Sequence, residues 1–284
     1  MKTSITLFLS DILPHRRKIY HKIVKNKIFK NQKTDDVFKH LKKIGLDGFE
    51  LMLPQYATTT DADILEVKKF TTKYKFPVLS VHQALRFLTA TKVNEIARLF
   101  EIADMVGAKV IVLHINSARK QVFNESYVQT LHELEKKYKV KVTFENMEKH
   151  IESYFHAHRW HAVKFSTLIQ RINFHITFDI VHLAHSGGDI LRFYKDNKDR
   201  IINIHLSDYR SHPLNGSLRP LRYKHMPLGD GELPIDAFVA LLQKEKYQGI
   251  LNLELHSDIH GVEKSVSMVN QIIHSRKSAQ QVAN

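Results

Sequence analysis

At 284 residues, with 43 Lys+Arg against 29 Asp+Glu, the chain carries a formal charge of +14, which favours an anionic partner such as a phosphorylated metabolite, a nucleic acid or a lipid surface. The absence of cysteine excludes disulfides, thiolate zinc sites and a cysteine nucleophile, so any metal must be held by His, Asp and Glu. No apolar run reaches the roughly 18 residues of a membrane span and the first residues lack the order of a secretory signal, so a cytoplasmic protein with no membrane span is expected.

In chain order, residues 3–9 (TSITLFL) predict a first strand. From Ile12 to Thr34 no acidic residue occurs, while Arg16, Arg17, Lys18, Lys22, Lys25, Lys27, Lys30 and Lys33 are cationic. Ile19, Ile23, Val24 and Ile28 recur there at helical spacing, which predicts a basic amphipathic helix inserted at about 12–34. It is either a solvated surface helix or a contact for phosphate, DNA or another nucleic acid. Residues 35–45 predict a helix closed by Gly45, ahead of the strand DGFEL with Glu50. Residues 61–74 predict the next helix, capped by Asp61 or Asp63, and Pro77 opens a strand ending at His82. A one-sided helix over 92–108, a strand ending at His114, a helix over 125–138 and the strand VTFEN with Glu145 follow.

The second half repeats the alternation. A His-rich stretch with His156, His158, Trp160 and His161 precedes a helix to about Arg171 and a strand ending at Asp179. A helix around 188–197 leads to the strand ending at His205, and a long polar loop from Asp208 to Pro234 is a candidate functional loop. Within it, Gly229-Asp230-Gly231 predicts a turn and no phosphate cradle, because the rest of a nucleotide fingerprint is missing. A helix from Pro234, the strand LNLEL with Glu254, a closing helix over 262–276 and a frayed polar tail at 277–284 complete the chain.

Eight strands alternating with helices, over a length near the roughly 250 residues such folds need, predict an α/β chain forming a single-domain (β/α)8 TIM barrel over residues 1–284. The C-terminal ends of barrel strands share one mouth, so Glu50, His82, His114, Glu145, Asp179, His205 and Glu254 would face one another. Glu145, Asp179, His205 and Glu254 make an oxygen-rich set suited to Mn, Mg or Co. His82 and His114, with Glu145 as a bridge, make a nitrogen-rich set suited to zinc, or else serve the substrate. His182, three residues after Asp179, and His225 from the long loop are a third candidate pair. Trp160 could stack on a sugar face or simply lie on a surface loop.

These residues carry a family resemblance. FELM with Glu50, FEN with Glu145, FDIVH with Asp179 and His182, IHLSD with His205 and Asp208, HMPLGDGELP from His225 and LELH with Glu254 occur in that order between about residues 36 and 272. The chain resembles the xylose isomerase-like TIM-barrel superfamily, which holds sugar and sugar-phosphate isomerases and epimerases together with the endonuclease IV group of abasic-site nucleases (AP endonuclease family 2). The isomerase branch implies one divalent ion on Glu145, Asp179, His205 and Glu254. In it Glu145 and Glu254 are also the catalytic proton carriers, and His182 and Arg210 contact substrate, Arg210 standing one residue closer to the strand 7 His than that pattern has it. The nuclease branch implies two or three zinc ions with His82, His114, His182 and His225 as further ligands. Where it has an Asp two residues before the loop His, this chain has Tyr223.

The resulting expectation is a divalent-metal-dependent isomerase or epimerase acting on a sugar or sugar phosphate, with Glu50, Trp160, His182 and Arg210 at the substrate. A zinc-dependent abasic-site DNA endonuclease is the alternative enzyme, and a noncatalytic nucleic-acid-binding barrel the alternative of another class.

Overall fold

Short β-branched runs buried on both faces are what a parallel barrel requires, and here they close in sequence order. The computed structural model describes residues 1–13, 28, 32–53, 59–83, 93–114, 125–147, 162–211 and 224–282. The strands are β1 (Lys2–Phe8), β2 (Gly48–Leu53), β3 (Val78–Gln83), β4 (Val110–His114), β5 (Lys141–Glu145), β6 (His175–Asp179), β7 (Ile201–Leu206) and β8 (Ile250–Leu253). Each pairs in parallel with the next, and β8 closes on β1 through Lys2↔Ile250 to Ile5↔Leu253.

Helices α1 (Leu9–Ile12), α2 (Thr34–Lys43), α3 (Asp61–Tyr74), α4 (Val93–Val106), α5 (Glu125–Tyr138), α6 (Ala162–Ile172), α7 (Ile180–His185), α8 (Ile190–Asn197), α9 (Ile235–Lys244) and α10 (Ile259–Val282) surround it among the described residues. No helix of the described residues is long and apolar enough to cross a membrane. Most of the basic segment, 14–27 and 29–31, lies outside the described residues, as do Trp160 and Tyr223. Ile28, from the expected apolar stripe, is buried in the core.

Local details depart from expectation in three places. Thr60 is the cap of α3, where Asp61 or Asp63 was expected, because Thr60 and Asp63 bond each other's backbone N–H in a capping box. The six residues of α7 are too few to show a period, and so had no signal. The closing helix runs to Val282, past the expected end at 276, because no Gly or Pro stops it and Lys, Ala and Gln favour helix.

Two cores result. The larger lies between strands and helices, with Phe38 of α2 packed on Phe49, Phe70 and Phe76 at ring separations of 5.5, 5.4 and 5.9 Å. The barrel interior holds a small separate apolar cluster, Leu79, Val110, Val112 and Ile250. It also holds a buried polar layer of Ser4, Thr6, Glu50, Ser80, Thr143, Thr177, Asn203 and Asn252. Side chains two apart on a strand share a face, so Ser80, Thr143, Thr177, Asn203 and Asn252 each stand directly beneath a ligand candidate, namely His82, Glu145, Asp179, His205 and Glu254.

Candidate metal centre

Strand register brings the candidate side chains level. His114 pairs with Glu145 and Asp179 with His205, while Glu254 follows β8 with its backbone N–H donating to Leu206 O at 3.2 Å. The four-residue set comes together: Glu145, Asp179, His205 and Glu254 each offer a ligand atom within 4.8 Å of the others. His205 Nδ1 is its hub, 2.9 Å from Glu145 Oε1, 2.8 Å from Glu254 Oε2 and 3.9 Å from Asp179 Oδ2. One ring nitrogen carries at most one proton, so it can satisfy only one of the carboxylates that crowd it. Glu145 Oε2, Asp179 Oδ2 and Glu254 Oε2 are buried without a hydrogen bond of good geometry.

Glu145 faces a second group with its other oxygen. Its Oε2 lies 2.8 Å from His114 Nε2 and 3.4 Å from His82 Nε2, and the two imidazole nitrogens are 3.0 Å apart. A third group joins Asp179, His182 and His225. Asn146, the last residue of the FEN motif, builds its floor: its side chain bonds both the N–H and the carbonyl of Asp179 at 2.8 Å, and its own carbonyl takes His182 Nδ1 at 3.0 Å. Asp179 then caps α7 by accepting from His182 N at 2.6 Å, so one carboxylate both ends β6 and aims His182.

Asp208 is used differently from what its position after β7 suggests. Its carboxylate accepts from the backbone N–H of Tyr209, Gly229, Gly231 and Leu233 at 2.8, 2.9, 3.0 and 3.1 Å. It therefore pins the 226–233 turn that follows His225, and a Cβ at Gly231 would collide with Asp208 Oδ1 and the Tyr209 carbonyl. His225 itself has φ 51°, a left-handed backbone uncommon outside glycine, beside Ser207 Oγ at 3.2 Å from its Nδ1. Asp230 pairs with Lys264. Neither Asp208 nor Asp230 stands in as the carboxylate that Tyr223 replaces.

Two residues expected at the substrate are engaged with protein groups. Arg210 is exposed and donates to the Asp230 carbonyl at 2.5 Å. Glu50 is fully buried in the polar layer, accepting from Ser80 Oγ at 2.8 Å, Asn203 Nδ2 at 3.2 Å, Asn252 Nδ2 at 3.3 Å and Thr6 Oγ1 at 3.4 Å. Its register partner is Ser80, a layer below His82, which is why it does not reach the mouth.

The electrostatics fit a cation. Burial opposes charging His82, yet Glu50 and Glu145 outweigh it and raise that imidazole to about 10. His205 is raised well above its usual value, since Glu50, Glu254 and Glu145 together overcome its burial. Burial lifts Asp179 to about 7, helped by Glu145 and Glu254 against the pull of His182. The burial of Glu254 is overridden by His205, which holds it down to about 2. His225, by contrast, is lowered to about 3 by burial. With protein atoms alone, protons on His82 and His205 balance the carboxylates; a divalent ion supplies the same charge and uses the lone pairs that protons cannot share. Three carboxylates and one imidazole suit Mn, Mg or Co, and the His82–His114–Glu145 group suits zinc.

The polar residues two positions before His82, Glu145, Asp179, His205 and Glu254, and the roles of Asn146 and Asp208, escaped sequence reasoning. The first had a visible signal, since a Ser, Thr or Asn at that place in five of the strands breaks the apolar layers expected inside a barrel.

Comparison with known proteins agrees with this architecture. A family model described as xylose isomerase-like TIM barrel matches residues 38–272. An uncharacterized protein of Mycobacterium leprae is 25% identical over 246 residues, covering 78% of this chain and 84% of its own. Among solved structures, a D-tagatose 3-epimerase-like protein aligns with a TM-score of 0.71 at 17% identity, covering 98% of this chain and 99% of the other. An L-ribulose 3-epimerase aligns with a TM-score of 0.66 at 12% identity, covering 100% and 99%. At these identities the two structures speak to the fold.

Proposed function

The chain belongs to the xylose isomerase-like TIM-barrel family, and on that premise we propose that it is a divalent-metal-dependent isomerase or epimerase acting on a sugar or sugar phosphate. The observation that carries this reading is the convergence of Glu145 and Glu254 on a single nitrogen of His205, at 2.9 and 2.8 Å. Two carboxylates that close, on either side of one substrate carbon, can take a proton from one face and return it from the other. Asp179 and His205 complete the ligand set. A bound divalent ion supplies Lewis acidity toward a substrate carbonyl and hydroxyl. Glu254, the least buried of the four with 14% of its side chain exposed, is the one turned toward the mouth. His182, aimed by Asn146 and Asp179, is the substrate-contacting imidazole. The names of the structural neighbours, a D-tagatose 3-epimerase-like protein and an L-ribulose 3-epimerase, support a sugar as substrate class.

The test is solvent exchange. Purified protein loaded in turn with Mn, Co, Mg or Zn is incubated in D2O with a panel of ketoses and their phosphates, and deuterium at carbons beside the carbonyl is followed by NMR. Metal-dependent incorporation that vanishes in Glu145→Gln supports the reading; no incorporation with any sugar under any metal sinks it.

A second reading, a zinc-dependent endonuclease at abasic sites, draws on the two further His-containing groups and on the cations between β1 and α2, which suit a phosphate backbone. Against it, Asp208 and Asp230 are both engaged elsewhere, so among the described residues the His182–His225 group has Asp179 as its one carboxylate. Cleavage of an abasic-site oligonucleotide by the zinc-loaded protein, without sugar exchange, would favour it.

A further inference from the structure

We propose that Glu50 is a positioning residue that fixes His82 and His205 in opposite tautomers, so that one buried carboxylate orients both metal-ligand groups from beneath. The inference rests on the metal-site reading above. Glu50 Oε1 lies 3.1 Å from His82 Nδ1 and 3.2 Å from His205 Nε2, and Oε2 lies 3.3 Å from the same His205 nitrogen. An ionised carboxylate only accepts, so the ring nitrogens turned to it carry the protons: Nδ1–H on His82 and Nε2–H on His205. The opposite nitrogens are the ones that face the ligand sets. His82 Nε2 meets Glu145 Oε2 at 3.4 Å and His114 Nε2 at 3.0 Å, while His205 Nδ1 meets Glu145 and Glu254. The same anion thus leaves a lone pair at Nε2 on one ring and at Nδ1 on the other.

The Glu50–His82 contact is close in distance but off the ideal hydrogen-bond angle. What makes Glu50 a support and not a ligand is its own surroundings. Ser80, Asn203, Asn252 and Thr6 already donate to it, and Asn252 is in turn held by Thr6 at 2.6 Å and Ser4 at 2.8 Å. Five hydrogen-bond donors, Ser80, Thr6, Asn203, Asn252 and His205, fill its acceptor sites and lock its plane beside His82, although Glu50, His82 and His205 lie close enough together to be mistaken for a metal group of their own. Carboxylates behind ligand imidazoles typically raise metal affinity about 10–100-fold. Here a single one serves two groups, so its loss should be felt at both.

The experiment compares wild type, Glu50→Gln and Glu145→Gln, each titrated with zinc and cobalt against a chromogenic chelator. Alongside, 15N-histidine-labelled, zinc-loaded wild type is examined by long-range 1H–15N NMR. The expected spectrum shows His82 protonated at Nδ1 and His205 at Nε2, and Glu50→Gln should weaken binding about 10–100-fold for every bound ion while the fold persists. Identical tautomers at the two rings, unchanged affinity in Glu50→Gln, or loss of one ion with the others untouched and an altered cobalt spectrum would each overturn the proposal, the last by making Glu50 a ligand. The wild-type spectrum decides even where Glu50→Gln does not fold. Wild type that binds no better than Glu145→Gln would overturn the metal site itself, whereas tight wild-type binding unaffected by Glu50→Gln overturns the positioning role alone.

Discussion

Glu145 Oε2 lies 2.8 Å from His114 Nε2, and the two residues are register partners across β4 and β5. Because the other oxygen of Glu145 faces His205, this one carboxylate is common to two ligand groups. Glu145→Gln keeps the shape and removes the charge, so metal bound per chain should drop at both groups together. Metal-dependent turnover should fall by at least about 100-fold, the lower end of what an acid–base group contributes. Elemental analysis of the purified variant checks the first part; full metal content beside full activity would refute the shared site.

Glu254 separates proton transfer from metal holding. It is the most exposed of the four, and in Glu254→Gln one face of the substrate carbon loses its proton carrier while Glu145 retains the other. Deuterium exchange into the substrate should continue as inverted product falls by about 100-fold or more. Parallel NMR time courses, with metal content measured on the same sample, distinguish this from simple metal loss. Exchange and inversion declining in step at unchanged metal content would argue against two opposed carboxylates.

The barrel and its seven strand-end candidates were legible because parallel strands buried on both faces write themselves as apolar runs, and a charged residue closing such a run stands out. Layer depth was not legible. Glu50 and His82 both sit in apolar runs, yet β2 continues past Glu50 to Leu53, and the β2–β3 register sets Glu50 against Ser80 and Met52 against His82, leaving Glu50 one layer lower. Register is a property of two strands, and neither sequence carries it alone. Asp208 was equally opaque, since three of its four backbone donors come from a turn up to 25 residues away. The His182 site was readable only in part: FDIVH placed it near Asp179, while the bond from Asn146 that aims it crosses from another strand.

Asp208 gives a stability prediction that leaves the main ligand set intact. Asp208→Ala strips an acceptor from four backbone N–H groups at a fully buried position, and should cost about 3 kcal/mol, the scale of losing charge-assisted hydrogen bonds. Gly231→Ala should act in the same direction by forcing a Cβ onto that carboxylate. Urea unfolding measures both, and ion binding at the Glu145 group should persist in the folded fraction. A variant of wild-type stability that has lost an ion would instead make Asp208 a ligand.

Removing metal should change how stability depends on pH, and the sign follows from the imidazoles. His82 rises from its unfolded value of about 6.5 to about 10 in the folded, metal-free protein, and His205 rises as well. A group raised on folding stabilises fully below its unfolded value, and that contribution is lost as pH climbs through the folded one. Asp179, raised to about 7, is half protonated at neutrality and adds to the loss in the same direction until about one unit higher, and Tyr194, raised to about 12, contributes only from the top of the window upward. Between pH 7 and 10 the chelator-treated protein should therefore lose melting temperature steadily. With an ion bound, the second proton of each ring, the one on the nitrogen that faces the ion, is already displaced, so the metal-loaded protein should hold a flatter profile over the same range, and the gain in melting temperature on adding metal should widen with pH. Differential scanning calorimetry at half-unit steps measures both curves; parallel slopes with and without metal would mean that His82 and His205 do not exchange protons for the ion.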